Sequence, residues 1–224
     1  MSQSVSVVMT GASGAVGGEL VAALKTLPAV RRMSLLGRRS VPAHAGACIE
    51  QYLVDVLNPE SYRDRLVGHD CAICTLGVAQ PSKMTKEEFI RIDKDAVVAF
   101  ATACKKAGVR HFELLGAAGA NAKPASLYLR TKGELADTLR ALKFERLSVF
   151  QPSMILTPTN RFGLSQALTL ALWPVLSRAL LGPLDKFRGI KVGALGAAMA
   201  RNLLTTGQGD EVLHWKEFAA LAKQ

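Results

Sequence analysis

The stretch Tyr128-Leu-Arg-Thr-Lys132 sets a phenol and an ammonium four residues apart. On a helix, residues so spaced share one face, and both groups can enter the same cleft. A nearby cation favours the ionised phenol, which lowers the tyrosine's pKa and makes it a usable general acid and base. Of the three tyrosines in the chain, neither Tyr52 nor Tyr62 has a lysine four residues on. A second set of residues suits phosphate chemistry. Gly11, Gly14 and Gly17 recur at three-residue spacing, directly after the apolar run Val5, Val7, Val8, Met9 and before the helical pattern of Glu19 to Leu24. Strand, glycine turn and helix make a cradle: the first glycine permits the tight turn, and the second lets backbone approach a pyrophosphate. The third lets the helix pack close, with Ala15 and Val16 opening it towards the phosphates.

The next residues in order refine the ligand. Gly37-Arg38-Arg39 follows an apolar run at the distance, about 20 residues past the glycines, where a dinucleotide fold holds the adenosine ribose. An acid there binds a 2′-hydroxyl, whereas an arginine accommodates a 2′-phosphate, whose geometry its fork suits. No Asp or Glu occurs between Glu19 and Glu50, so NADP(H) is favoured over NAD(H). Asp55-Val56 follows another strand-like run, where a carboxylate could meet the adenine amino group. Leu76-Gly77 ends the next, where a small residue lets a cofactor lie against backbone.

Strands alternating with helices must position these groups. The pattern predicts strands at Val5–Met9, Met33–Gly37, Ile49–Val54, Cys71–Thr75, His111–Leu115 and Arg146–Phe150. Helices are expected after Gly17, over Pro59–Leu66, over Glu87–Ala107 (Phe89, Ile92, Ala96, Val97, Phe100 and Ala103 on one face, Gly108 as the stop) and over Ala125–Leu142. That alternation means a doubly wound parallel α/β sheet. Beyond Gln151, the mostly apolar stretch Phe162–Leu181 is too interrupted to span a bilayer and suits a helix over the substrate cleft or at a subunit interface. A helix at Gly193–Leu204, a strand at Glu211–Leu213 and a helix at Trp215–Ala222 close the chain. The expected organisation is one domain over residues 1–224, a cofactor-binding core at 1–154 with substrate-side and closing elements at 155–224.

Composition narrows the function classes. At 224 residues, 49% hydrophobic, the chain can bury a sizeable core and is not a disordered one. The start MSQSVSVV lacks a basic region ahead of its apolar run, which reads as cytoplasmic. Cys48, Cys71, Cys74 and Cys104 suggest no disulfide framework. Cys71 and Cys74 lie three apart in a strand, so they point to opposite faces and make no redox or zinc pair. His44, His69, His111 and His214 lack ligand-like spacing, and no metal is expected. The net charge of +10 is spread along the chain without aromatic interleaving, which argues against nucleic acid as a partner. A phosphate-rich cofactor is sufficient reason for it.

In TGASGAVG, LGRR, the Asp55-Val56 pair and YLRTK the chain resembles the atypical, Rossmann-only members of the short-chain dehydrogenase/reductase superfamily. GHD before CAICTLG, FIRIDKDAV, HFELL, LYLRTKGE and LSVFQPS are similar to the Tat-interacting-protein oxidoreductase-like branch. The resemblance runs from about Val5 to Met154. It implies cofactor contacts at Gly11, Ser13, Gly14, Gly17, Arg38, Asp55 and Gly77, and a nicotinamide border at Pro152-Ser153. It also implies catalysis by Tyr128, with Lys132 holding the nicotinamide ribose. One departure stands out. The family's carbonyl-polarising serine or threonine after the fifth strand is replaced by Leu115-Gly-Ala117-Ala-Gly119, and Ser126 lies about 200° around the helix from Tyr128. The expected function is an NADP(H)-dependent oxidoreductase acting on an unidentified small carbonyl or hydroxyl compound. The alternative is a non-catalytic NADP(H)-binding redox sensor working through a protein partner. A homodimer is compatible with either.

Overall fold

The computed structural model describes residues 4–78, 80–123, 126–158 and 180–223. Its β-branched and apolar runs form the strands β1 (Val5–Thr10), β2 (Val30–Gly37), β3 (Ile49–Leu53), β4 (Cys71–Cys74), β5 (His111–Leu115) and β6 (Arg146–Phe150). A further strand, here β9 (Gly209–Leu213), joins them in one seven-stranded parallel sheet ordered β3-β2-β1-β4-β5-β6-β9. The first six follow the order of a dinucleotide-binding fold, in which successive strands run one way from β1 and then resume on its other side at β4. The crevice at that reversal, outside the strands' carboxyl ends, is where such sheets bind ligands.

Adjacent residues of a strand face opposite sides, and the two cores divide accordingly. Val7, Met9 and Ile73 pack with α1 (Ala15–Lys25), α5 (Val192–Asn202) and α6 (Trp215–Leu221). Val8, Ala72 and Cys74 pack with α3 (Ala96–Lys106) and α4 (Leu127–Ala141) on the other face. Cys71 belongs to the first core and Cys74 to the second, and both are free thiols. The chain after 180 therefore returns to the sheet. α5 lies against α1, and β9 extends the edge beyond β6.

Several elements differ from their sequence signals for identifiable reasons. β2 begins at Val30, ahead of the expected Met33, a start hidden in the sequence by Arg31 and Arg32, which interrupt the apolar pattern. The helix expected over Pro59–Leu66 is two 3₁₀ turns, Pro59–Ser61 and Arg63–Arg65, separated where Tyr62 leaves helical geometry at φ −142°. The long helix is interrupted: α2 (Lys86–Ile90) passes into a π-helical turn, Arg91–Asp95, before α3. Two three-residue strands, β7 (Met154–Leu156) and β8 (Gly189–Lys191), pair in parallel apart from the main sheet, too short to leave a periodic signal. The helix expected over Phe162–Leu181 lies outside the described residues except for its last two positions. Among the described residues no helix is long and apolar enough to cross a membrane.

At the amino-terminal end of the sheet, remote from the crevice, the strands bury a polar cluster. Asn202, at the end of α5, donates to Glu113 Oε1 at 2.8 Å and to Ser148 Oγ at 3.1 Å. Arg146 spends its guanidinium on Glu211, Asn202 and Thr205. His111 meets Ser148 Oγ at 2.8 Å through Nε2. Burial, the largest cause, holds the His111 imidazole neutral, its pKa lowered to about 3. Burial likewise pushes the Glu113 carboxyl up to about 8 against the opposing hydrogen bond from Asn202.

Candidate functional site

The cradle forms where β1 ends. Gly11 has φ +88°, and a Cβ there would sit 2.5 Å from Leu76 N and Thr75 C, so only glycine lets this turn lie against the chain leaving β4. A Cβ on Gly17 would fall 2.2 Å from Gly11 O, which makes Gly17 the seat of α1 on the turn. Gly14 N–H donates to Gly11 O at 3.0 Å, and Gly14 is the N-cap of α1. Among the described residues no side chain caps that end, and no acid lies in its first turn, so its amide groups and the positive end of the helix dipole are left for an anion. From the following loop, His44 Nε2 meets Ala12 O at 3.0 Å and steadies the turn from behind.

A cleft of about 370 Å³ opens above this turn, lined by Thr10, Gly11 and Ser13, by Gly37, Arg38 and Arg39 at the end of β2, and by Val56 and Leu76. Both arginines are exposed, and neither makes an ion pair among the described residues. Their loop is braced by Gln51 on β3, whose amide accepts from Val41 N–H at 2.7 Å and donates to Val41 O at 3.1 Å. A glycine turn with no room for side chains, an uncapped helix end and two exposed guanidinium groups fit the phosphates of a dinucleotide.

The second half of the site begins where the first ends. Leu76 lines the cleft, while the Cβ position of Gly77 lies 3.6 Å from Lys132 Nζ and 3.3 Å from Asp93 Oδ1. Lys132 is 5% exposed and Asp93 1%, and the two form an ion pair through Lys132 Nζ and Asp93 Oδ1. The other carboxylate oxygen, Oδ2, accepts from Val78 N–H at 2.7 Å. Lys132 Nζ lies 6.0 Å from the centroid of the Tyr128 ring, and the Phe89 ring lies 6.0 Å from it between centroids. The helix thus brings phenol and ammonium together as the i, i+4 spacing requires. The expected lowering of the phenol's pKa does not occur. Burial, the largest cause, raises it, Lys132 lowers it and Asp93 raises it again. Asp93 meets the ammonium charge that was expected to act on the phenol alone.

The remaining predicted residues fall in different places. Val16 and Gly17 are buried in the seating of α1, and Ala15 is half-buried at its start. Asp55 is exposed, and its carboxylate accepts from Leu57 N–H at 2.9 Å, which makes it the organiser of its own turn. It is Val56 that reaches the cleft. Pro152 is buried, its carbonyl accepting from Ala118 N–H at 2.9 Å, and Ser153 is exposed; neither lines the cleft. Ala117 is buried at the turn after β5, and Ser126 is occupied as the N-cap of α4, accepting from Leu129 N–H at 3.2 Å. Sequence reasoning missed Gln51, His44 and Asp93. For Asp93 a signal existed: it lies four residues after Phe89 and four before Val97, on their buried face. Among the described residues no cluster of His, Cys, Asp and Glu could hold a metal ion.

The strand order, the switch-point cleft and the uncapped helix behind a glycine turn together define a Rossmann-type dinucleotide-binding protein. The comparisons agree: residues 11–152 match the NAD(P)H-binding family model, and the chain belongs to that family. Protein HTATIP2 of Rattus norvegicus is 32% identical over 228 residues, 99% of this chain and 90% of the relative, which bears out the resemblance drawn from the motifs. Protein FMP52, mitochondrial, of Candida albicans is 27% identical over 184 residues, covering 78% of this chain and 80% of the relative. Among solved structures, MoeE5 in complex with UDP-glucuronic acid and NAD superposes with a TM-score of 0.72 at 20% identity, over 93% of this chain and 75% of that one. The Helicobacter pylori ADP-L-glycero-D-manno-heptose-6-epimerase gives 0.70 at 14% identity, over 99% and 82%. These two likenesses concern the fold.

Proposed function

We propose that the chain is an NADP(H)-dependent oxidoreductase that reduces a small carbonyl compound, with Tyr128 as proton donor. The observation that carries the reading is the junction at the end of β4. There Leu76 lines the phosphate cleft and Gly77 abuts Lys132, so cofactor cradle and phenol serve one site. Residues 1–154 hold the cofactor, and 155–224 supply the substrate side and the closing elements. The Gly11–Gly17 turn and the start of α1 hold the pyrophosphate, and Arg38 with Arg39 takes the 2′-phosphate. Lys132 is ion-paired with Asp93 and carries three donors that can serve ribose hydroxyls. Bound NADPH supplies the hydride for the substrate carbon. Tyr128 gives its hydroxyl proton to the substrate oxygen and recovers one from water. A phenol held in its protonated form suits this direction over the reverse.

A second reading, a non-catalytic NADP(H) sensor acting through a protein partner, is favoured by one observation: no hydroxyl stands at Ala117, and Ser126 is used as a cap. The test is NADPH oxidation by the purified protein against a panel of aldehydes and ketones, beside Tyr128→Phe. The enzyme reading predicts slow turnover that the variant loses while still binding NADPH. Turnover unchanged in Tyr128→Phe rejects the mechanism, and binding without turnover on any substrate assigns the protein to the sensor class. The cytoplasmic placement belongs to the same proposal. The mitochondrial names of the fungal relatives make the mitochondrion its rival, which a fluorescent fusion decides.

A further inference from the structure

We propose that Asp93 is a positioning residue that, by bridging Lys132 and the Val78 amide, fixes the ammonium against Gly77 and screens its charge from Tyr128. The inference rests on the reading of Tyr128 as proton donor and names what sets that phenol's state.

The geometry carries it. Asp93 sits on the π-helical turn Arg91–Asp95 between two α-helical segments. Such a turn widens the helix by one residue and re-aims the side chains on it, and it recurs at functional sites. Here it turns a carboxylate, where the apolar pattern called for Ile92, into a core lined by Phe89 and Val97. A buried carboxylate is costly unless it is paired; here Oδ1 is ion-paired with Lys132 and Oδ2 accepts from Val78 N–H. The pair lies against Gly77, the residue after Leu76, which lines the cleft. Among the described residues, the titratable groups facing Tyr128 are Lys132 from its own helix and Asp93 from the π-helical turn; Phe89 from α2 is neutral. With opposite charges in contact beside it, the phenol meets little net charge, and burial decides its proton. An unscreened lysine at this range would favour phenolate by about one to three pH units.

Asp93→Asn separates the two roles, since an amide oxygen can still accept from Val78 N–H but carries no charge. With ¹³Cζ-labelled tyrosine, the Tyr128 resonance, assigned by its loss in Tyr128→Phe, is followed by NMR as pH rises. The expected result is a titration midpoint at least one pH unit lower in Asp93→Asn than in the native protein, a readout that a purely structural role would not move. The charge-balanced double variant Asp93→Asn/Lys132→Met should keep the native midpoint within about half a unit, and it serves where the single variant does not fold. A native-like midpoint in folded Asp93→Asn overturns the proposal. So does a double variant whose midpoint rises by more than one unit, because Lys132 would then have been acting on the phenol unopposed. The phenol is read without cofactor or substrate. Failure of the oxidoreductase reading, seen as turnover unchanged in Tyr128→Phe, is therefore a separate result.

Discussion

Replacing Glu113 by glutamine should change how stability depends on pH, and the structure sets the sign. Glu113 has a raised pKa, from 4.5 to about 8. Between those values the unfolded chain has released the proton and the folded chain keeps it. Stability from this group is therefore full below about pH 4.5 and declines as pH rises towards 8. His111 has the opposite perturbation, from 6.5 down to about 3. It stays neutral in the fold while the unfolded chain takes up a proton, so its contribution is full above 6.5 and declines as pH falls towards 3. Between 4.5 and 6.5 the slopes oppose each other, and between 6.5 and 8 Glu113 acts alone. At about 1.4 kcal/mol per pH unit, the native protein should lose about 2 kcal/mol across that upper interval. For a chain of this size this means a fall in melting temperature of roughly 4–8 °C. In Glu113→Gln the fall should vanish, while the rise on the acid side steepens as His111 acts unopposed. Thermal melts by circular dichroism from pH 4 to 8.5 read both limbs. Parallel profiles for native and variant above pH 6.5 would mean that Glu113 does not keep its proton in the fold.

Two further outcomes bear on the site. Gly14→Val, at a position where a Cβ lies 3.2 Å from Gly11 O, should leave the fold largely intact and abolish NADPH binding measured by cofactor fluorescence, because the branched side chain occupies the pyrophosphate's place. Ala117→Ser, which puts a hydroxyl at the turn after β5, should speed NADPH oxidation on any substrate the native protein accepts. The gain should reach up to roughly 10²-fold, the worth of one such donor, and stopped-flow traces would register it.

The parts of this molecule legible in its sequence are those governed by local geometry. β5 and β6 run over the residues that alternation and flanking turns assign them, His111–Leu115 and Arg146–Phe150. The glycine turn is legible because each glycine answers a steric demand: Gly11 against Leu76, Gly17 against Gly11 O. The i, i+4 pairing of Tyr128 and Lys132 follows from helix periodicity alone. What the sequence conceals are contacts between distant segments. The partner of Lys132 is Asp93, 39 positions away on a π-helical turn that no propensity marks. The brace on the arginine loop is Gln51, an ordinary strand residue until Val41 is folded beside it. The direction of the Tyr128 shift could not be read from spacing because burial, a property of the whole fold, is its largest cause.

We propose that the cleft at the ends of β1, β2 and β4 holds NADP(H) with its 2′-phosphate on Arg38 and Arg39. Calorimetric titration of NADPH and NADH into the native protein and into Arg38→Ala tests it most directly. NADPH should bind more tightly than NADH. Arg38→Ala should weaken NADPH by roughly tenfold or more, the scale of one charged hydrogen bond, with NADH affinity barely changed. Equal losses for the two cofactors, or a native protein that prefers NADH, would contradict it.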